Sequence, residues 1–280
     1  MSTFAVIAHA AGPTNTRLGR VITPSQALVR LRSGDVALGR FDVLPSLDGV
    51  ERGLWSLDVL ERRGVRVLNR RTTLSLAHDK LATADALLRA GVPHPRTSHL
   101  APWLPVPTLA YPLVFKPRFG SWGRDVVCCE TPAQLAAALA RSRRRVWFNA
   151  TGGVVQEFVP PAGYDLRVVV AGGQVVGAVH RCAAPGEWRT NVALGGRRVA
   201  ASPAEGARLL ALAAAAALGG DLVGVDLLPL PGGGWTVIEV NGAVEFGGDY
   251  SLERDVFEAA RVALGAASRR GAASRAYASA

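Results

Sequence analysis

The sequence predicts an α/β chain in three parts: a small parallel-sheet domain over residues 1–75, an α+β unit over 76–152 and a second over 153–267, with a tail at 268–280 expected to be flexible. Three observations carry this prediction. Strand and helix patterns alternate through the first 75 residues, a cationic loop containing glycine follows an apolar strand at 114–125, and two hairpin signals, Gly172-Gly173 and the 231–234 loop, mark the last third. At 280 residues and 49% apolar composition the chain can bury a large core. No apolar run approaches the roughly 18–20 residues of a membrane span, and Met1-Ser2-Thr3 lacks a basic signal-peptide start, so no membrane partner and a cytoplasmic location are expected.

In order, 4–8 reads as a buried strand and the Gly/Pro/Asn stretch after it as a loop to Arg20. Residues 24–32 have helical apolar spacing, 35–44 read as one or two short strands, 50–63 as an amphipathic helix stopped by Gly64, and 65–68 as a strand. The segment 73–90 contains Asp79-Lys80 and then, over 81–88, a helix stopped by Gly91 and Pro93. Lys80 then lies near a helix N-terminus, where the dipole disfavours a cation unless another group holds it. Strands are expected at 96–100, 112–116, 126–129 and 153–159, and Thr131-Pro132-Ala133-Gln134 is a capping box opening a helix to about Arg143. Strands 166–171 and 174–182 flank the Gly172-Gly173 turn. Ser202-Pro203-Ala204-Glu205 is a second capping box, starting an alanine-rich helix that ends at Gly219-Gly220; 222–230 and 235–240 form the second hairpin, and a last helix covers 251–265.

The net charge of +10 calls for an anionic partner: nucleic acid, an acidic protein or a small anionic substrate. Nucleic acid is the least expected, because aromatics are only 6% of the chain and do not interleave with its scattered arginines. Of the 32 Lys and Arg only two are lysines, Lys80 and Lys116. Lysine is a compact point charge where arginine is a planar fork, so lysine kept just ahead of Gly120-Ser121-Trp122-Gly123 points to a phosphate site. The glycines let backbone N–H groups approach the same oxygens. Cys128, Cys129 and Cys182 have no metal-ligand spacing and fit a reducing compartment, the adjacent pair serving as core packing.

The 222–240 hairpin places carboxylates together. With 231–234 as a four-residue loop, Leu230 faces Trp235 and Asp226 falls opposite Glu239, with Asn241 on the side of Glu239. Two facing carboxylates in apolar strands repel unless a divalent cation sits between them, and an all-oxygen set of this kind suits Mg²⁺. The other hairpin, with Arg167, Arg181, Arg189 and Asn191 near it, could clamp a transferring phosphoryl group. A plain two-residue Gly172-Gly173 turn, however, sets Arg167 and Arg181 on opposite faces and His180 against Asp165; a bulge or a longer loop is needed to bring both arginines to one site.

Taken in order, Lys80, Phe115-Lys116-Pro117, Gly120-Ser121-Trp122-Gly123-Arg124, Val155-Gln156-Glu157-Phe158, Asp165-Leu166-Arg167, Trp188-Arg189-Thr190-Asn191, Gly224-Val225-Asp226 and Glu239-Val240-Asn241 resemble an ATP-grasp ligase of the RimK/LysX family over roughly residues 65–262. The resemblance implies the ATP-grasp fold, two α+β subdomains sandwiching ATP behind a pre-ATP-grasp domain. It further implies that Lys116 meets the phosphates and Lys80 lies closer to the adenine. Gln156, Glu157 and Phe158 become the adenine hinge and Asp165 a neighbour of the ribose. Gly120, Ser121, Trp122 and Gly123 form the lid, where Trp122 could cover the phosphates or keep water from the acyl phosphate. Asp226, Glu239 and Asn241 would hold Mg²⁺, or Mn²⁺ in its place, and Arg167, Arg181, Arg189 and Asn191 would face the reacting phosphate.

Within that family the Ser-Trp-Gly-Arg loop and the Asn-x-x-x-Glu-Phe run ending at Phe246 are similar to the LysX branch, which joins an amino acid to the C-terminal glutamate of a small acidic amino-group carrier protein. The chain departs from that branch at Gly247-Gly248-Asp249-Tyr250, where Lys-Asn is expected. The implied protein is an ADP-forming carboxylate–amine ligase of amino-acid biosynthesis, a homo-oligomer. It takes an amino acid and an acidic carrier protein or a glutamate-ended peptide. Two alternatives stay open: a RimK-like glutamate ligase acting on a protein or peptide C-terminus, and a basic nucleotide-binding adaptor without catalysis.

Overall fold

The computed structural model of the chain describes residues 2–41 and 53–278. Strands β1 (Phe4–Ile7), β2 (Arg20–Ile22), β3 (Val36–Gly39) and β4 (Arg66–Leu68) form a parallel sheet in the order β2-β1-β3-β4, with helices α1 (Pro13–Leu18), α2 (Pro24–Arg30) and α3 (Trp55–Arg62) between them. The loop expected before Arg20 therefore holds a helix and leads into a strand. Gly12 precedes the helix in extended backbone and Pro13 fixes its first turn. Six residues are too few to show a helical period. The expectations for 42–44 and 50–52 lie outside the described residues.

The helix expected after Asp79-Lys80 is α5 (Lys80–Arg89), and a second one, α4 (Arg71–His78), precedes it; they part at Asp79, whose extended backbone and carboxylate cap α5 by accepting from Leu81 and Ala82 N–H. Asp79 also takes both arms of Arg118, at 2.8 and 2.5 Å. Beyond it β5 (Thr97–Leu100), β6 (Leu113–Pro117), β7 (Val127–Cys129) and β8 (Gly153–Glu157) make an antiparallel sheet in the order β5-β8-β6-β7, covered by α6 (Pro132–Ser142) and α7 (Val146–Thr151) over a core of Phe115, Leu135 and Phe148. The strand expected to open the second α+β unit thus completes the sheet of the first. Cys129 is wholly buried in this core.

The last subdomain is a five-stranded sheet in the order β11-β10-β9-β12-β13, from β9 (Tyr164–Ala171), β10 (Gln174–Cys182), β11 (Arg197–Ala200), β12 (Leu222–Pro229) and β13 (Trp235–Asn241). One face packs on α8 (Glu205–Ala217), whose alanines at 207, 211, 214 and 215 let it lie close. The other meets α9 (Val256–Ala278), Phe246, Tyr250 and residues of the N-terminal sheet such as Val6 and Leu38. Two helix boundaries differ from expectation. Helix α8 begins at Glu205 with no side-chain cap, so Ser202 opens no capping box, and α9 begins after a short 3₁₀ turn (Gly248–Tyr250) and runs past Gly265 to Ala278.

Both hairpins carry a bulge, and the bulges set the faces. Around the Gly172-Gly173 turn Gln174 pairs with Ala171 and Val175 with Val170, but Gly177 then pairs with Val169, so Val176 is extra. The shift seats Arg181 opposite Asp165 and Val179 opposite Arg167, so both arginines share one face; His180 faces Leu166 rather than Asp165, and its ring lies 4.9 Å from that of Tyr164. In the other hairpin Pro229, not Leu230, faces Trp235, and a bulge at Ile238 restores the lost residue, so Asp226 does stand opposite Glu239.

Candidate active site

Lys116 projects from β6 into the space between the two antiparallel sheets. It is 7% exposed, and its Nζ donates to Gln156 Oε1 at 2.8 Å. Burial and the nearby Lys80 ammonium pull it down to about 8, against the opposing pull of Glu239. Lys80 is held at its helix terminus by the Gly120 carbonyl, 2.6 Å away, and by Glu239 at 3.6 Å. Those partners, with the Asp79 cap beneath, are what hold a cation at that terminus.

The lid lies across the cleft mouth in strained backbone: Trp122 and Asp125 have φ of 63° and 56°, flanked by Gly120 at 146° and Gly123 at 69°. A side chain on Gly123 would meet Asn191 Oδ1 at 2.6 Å, so glycine permits the lid to touch the last subdomain. Arg189 fastens that contact. Glu187 takes its Nε and Nη2 at 3.0 and 2.6 Å, leaving Nη1 to donate to the Gly123 carbonyl at 3.0 Å. The same pairing holds Glu187 down at about 2.

On the opposite wall Asp226, 2% exposed, accepts two bonds of 2.6 Å from Arg167 and one of 2.9 Å from Arg181. Arg181 also forks onto Asp165, which accepts from Thr190 Oγ1 at 2.6 Å. Burial acts against the charge of each group, but the arginines outweigh it to hold Asp226 low, and the carboxylates hold both arginines high. Glu239 reaches the same space half-buried, and the buried Nδ2 end of Asn241 has no partner. The carboxylates of Asp226 and Glu239 and the amide oxygen of Asn241 make an all-oxygen donor set that fits a hard divalent cation, while the Asn241 NH₂, with no partner among the described residues, can donate to an oxygen of a bound phosphate.

The cleft, about 950 Å³ with the solvent at its open mouth included, is lined by Lys80, Lys116, the 120–123 lid, Gln156, Glu157, Phe158, Asp165, Arg181, Arg189, Asn191, Asp226 and Glu239. At one end the rings of Phe158 and Trp188 meet edge to face at 5.8 Å. Glu157 turns its carboxylate out to Arg96 at 3.3 Å, and its N–H is taken by the Arg96 carbonyl. Arg167 and Asn241 line a second, open cavity, about 1820 Å³ with the solvent at its mouth included, that shares Ser121, Trp122, Arg181, Asn191 and Glu239 with the first. Its far wall is the N-terminal domain, where Asn15 Oδ1 accepts from Arg40 Nε (2.6 Å) and so steadies that arginine, and it is tied across by Arg40 Nη2 to the Val244 carbonyl (2.7 Å) and Thr14 Oγ1 to Glu245 (2.5 Å). Arg40 and Glu245, which line this cavity, and Thr14, which holds Glu245, were not legible in the sequence, since nothing local marks a contact more than 200 positions apart. His94 and Thr97, behind Gln156, were missed as well.

A lysine on one sheet with a second at the helix terminus beside it, carboxylates on the other sheet and a glycine lid between them define an enzyme class that grips a metal-bound nucleoside triphosphate between subdomains. The chain belongs to the RimK-like ATP-grasp family, whose domain model matches residues 77–255. It is 32% identical over 219 residues to a glutamate–LysW ligase ArgX of Sulfurisphaera tokodaii, covering 76% of this chain and 77% of that one. An α-aminoadipate–LysW ligase LysX of Saccharolobus solfataricus is 31% identical over 201 residues, covering 70% and 72%. The fold matches that of D-alanine–D-alanine ligase from Bacillus anthracis with a TM-score of 0.69 at 14% identity, over 96% of this chain and 98% of that one. The protein is an ADP-forming carboxylate–amine ligase. Among the described residues no helix is long and apolar enough to cross a membrane.

Proposed function

We propose that the protein uses ATP and Mg²⁺ to activate a glutamyl carboxylate at the end of a small acidic carrier protein, and joins an amino acid, with glutamate the first choice, to it as an amide. The reading rests on the joined cavities. A nucleotide in the cleft would present its γ-phosphoryl group toward the partition at Trp122, Arg181 and Glu239, and the larger cavity behind can admit both the carboxylate and the amine. Asp226, Glu239 and Asn241 would hold the metal, which neutralises charge on the phosphates when bound. Lys80, Lys116 and the lid would orient the nucleotide, and Arg167, Arg181, Arg189 and Asn191 would border the acyl phosphate. Positioning and electrostatics supply the catalysis, and no protein nucleophile is needed. The +10 chain would draw in an acidic carrier, and the three free thiols suit a reducing, cytoplasmic setting.

ADP release measured for a panel of amino acids against glutamate-ended peptides and acidic carrier proteins tests this. Release that requires both an amine and a glutamyl carboxylate, and is fastest with glutamate and a carrier, is the expected result. Turnover with a peptide or protein C-terminus and indifference to the carrier would move the assignment to RimK-like glutamate addition. Salt-sensitive nucleic-acid binding without turnover would overturn the reading.

A further inference from the structure

Lys116 is backed by a chain of hydrogen bonds in which the lysine, Gln156 and His94 each have one role, while the Thr97 hydroxyl can donate to the Pro95 carbonyl at 2.9 Å or to His94 Nε2 at 3.2 Å. A lysine ammonium only donates, so the atom of Gln156 facing it at 2.8 Å is the amide oxygen. The amide NH₂ then points the other way, to His94 Nε2 at 3.1 Å and to Thr97 Oγ1 at 2.7 Å. His94 Nδ1 lies 2.7 Å from the carbonyl of Val237, which can only accept, so the imidazole proton is on Nδ1 and Nε2 is the acceptor that Gln156 requires. Next to it the Val237 N–H donates to the Pro93 carbonyl at 2.9 Å. Both backbone groups of Val237, on the outer edge of β13 and two residues before Glu239, are thereby taken by the 93–94 turn.

We propose that His94 is a positioning residue of the ligase: as a neutral Nδ1–H imidazole it clasps the edge of β13 to Gln156, and so fixes the aim of the Lys116 ammonium relative to the strand that carries Glu239. The clasp joins the two sheets of the cleft, since Gln156 belongs to β8 and Val237 to β13. Burial, with a smaller push from the Lys116 charge and against the Val237 bond, pulls His94 down to about 4, so it stays neutral wherever the enzyme works. Gln156 is thus committed to Lys116, His94 and Thr97, and acts on a nucleotide through Lys116.

The proposal rests on ATP occupying the cleft, and two measurements keep the two ideas apart. Titration of the parent chain with MgATP tests the nucleotide reading; no binding would overturn both. With binding established, His94→Leu is expected to raise the KM for ATP about tenfold, the effect of one buried hydrogen bond left unmade, while the KM for the amino acid stays within about threefold. His94→Gln, which can offer an acceptor near the Nε2 position, should bring the KM for ATP back to within about threefold. A purely structural histidine would instead lower the melting temperature of both variants and leave the KM for ATP unchanged, which would overturn the proposal. Should His94→Leu fail to fold, the imidazole ¹⁵N signals of the parent, assigned by their loss in His94→Gln, decide. A neutral Nδ1–H tautomer between pH 5 and 8 is expected, and an Nε2–H or charged ring at neutral pH would overturn the clasp.

Discussion

Lys116 in the central subdomain and Arg181 in the last one both reach the cleft from strands and are both buried, yet one is charged against its surroundings and the other because of them. The near neighbours of Lys116 are an amide oxygen and a second lysine, and its affinity for a proton falls to about 8. Arg181 and Arg167 lie against Asp226 and Asp165, which raise theirs in spite of burial. Among the described residues the Lys116 ammonium has no carboxylate in contact, only the looser Lys80–Glu239 pair beside it, and is open to a phosphate, whereas the arginine wall is already neutralised. Asp226 cannot serve two guanidinium groups and a cation with the same lone pairs. A metal-bound triphosphate brings both a cation for the carboxylate and an anion for the arginines, so the wall can exchange partners without burying bare charge.

The largest effect is expected where that neutralised wall is broken. Asp226→Asn removes a partner from two buried arginines at once, which should cost about 3–5 kcal/mol in urea unfolding and reduce ADP release by about a thousandfold or more. Glu239→Gln supplies the contrast. Among the described residues its carboxylate makes one ion pair, with Lys80 at 3.6 Å, so stability should change by less than about 1 kcal/mol while activity still collapses. Equal stability losses in the two variants would erase the distinction drawn between the walls.

A smaller effect is expected at the bulge that brings Arg181 to this wall. A Cβ on Gly177 would lie 2.7 Å from both the Tyr250 carbonyl and a methyl group of Val256, so Gly177→Ala must move the strand or the turn behind it. The expected cost is about 1–3 kcal/mol, with kcat lowered about tenfold through displacement of Arg181. If Gly177→Ala loses stability but keeps kcat, the arginine does not act from this position.

That bulge also explains what was legible in the chain. The Gly172-Gly173 turn and the strands around it could be read from turn chemistry and alternation, and the ordered motifs located both walls of the cleft. Which side each arginine takes depends on one extra residue, and the signal for it, a lone glycine inside a strand, was available at Gly177 but is weak by itself. At Ile238 no such signal exists. There the loop is longer by one residue and the bulge absorbs it, so the opposition of Asp226 and Glu239 is right although the register behind it is not. The ties at Arg40, Glu245 and His94 were illegible because they join residues more than 60 positions apart without any local pattern. The departure at 247–250 has a structural reading as well: Tyr250 is fully buried in the core against α9, and Asp249 meets Arg198 at 3.3 Å.

The smallest effect should have the opposite sign, and it tests the lysine wall. Lys116→Met removes the cation, so ADP formation should be lost, but the fold should gain. Below pH 8 the parent carries the lysine charged in both states and bears the full cost of burying it. Between about 8 and the ordinary 10.5 the folded chain has released the proton while the unfolded chain still holds it, and parent stability rises with pH. Above that range the cost is gone. A displacement of this size corresponds to roughly 3 kcal/mol, from which the unpartnered Gln156 oxygen in the variant takes back about 1–2 kcal/mol. Urea unfolding should therefore find Lys116→Met more stable than the parent by about 1–2 kcal/mol at pH 7. The advantage should shrink from pH 8 upward and reverse slightly above 10.5, where the neutral amine of the parent still donates to Gln156. A variant less stable than the parent at pH 7 would mean that the Lys116 charge is compensated after all, and that the two walls are built alike.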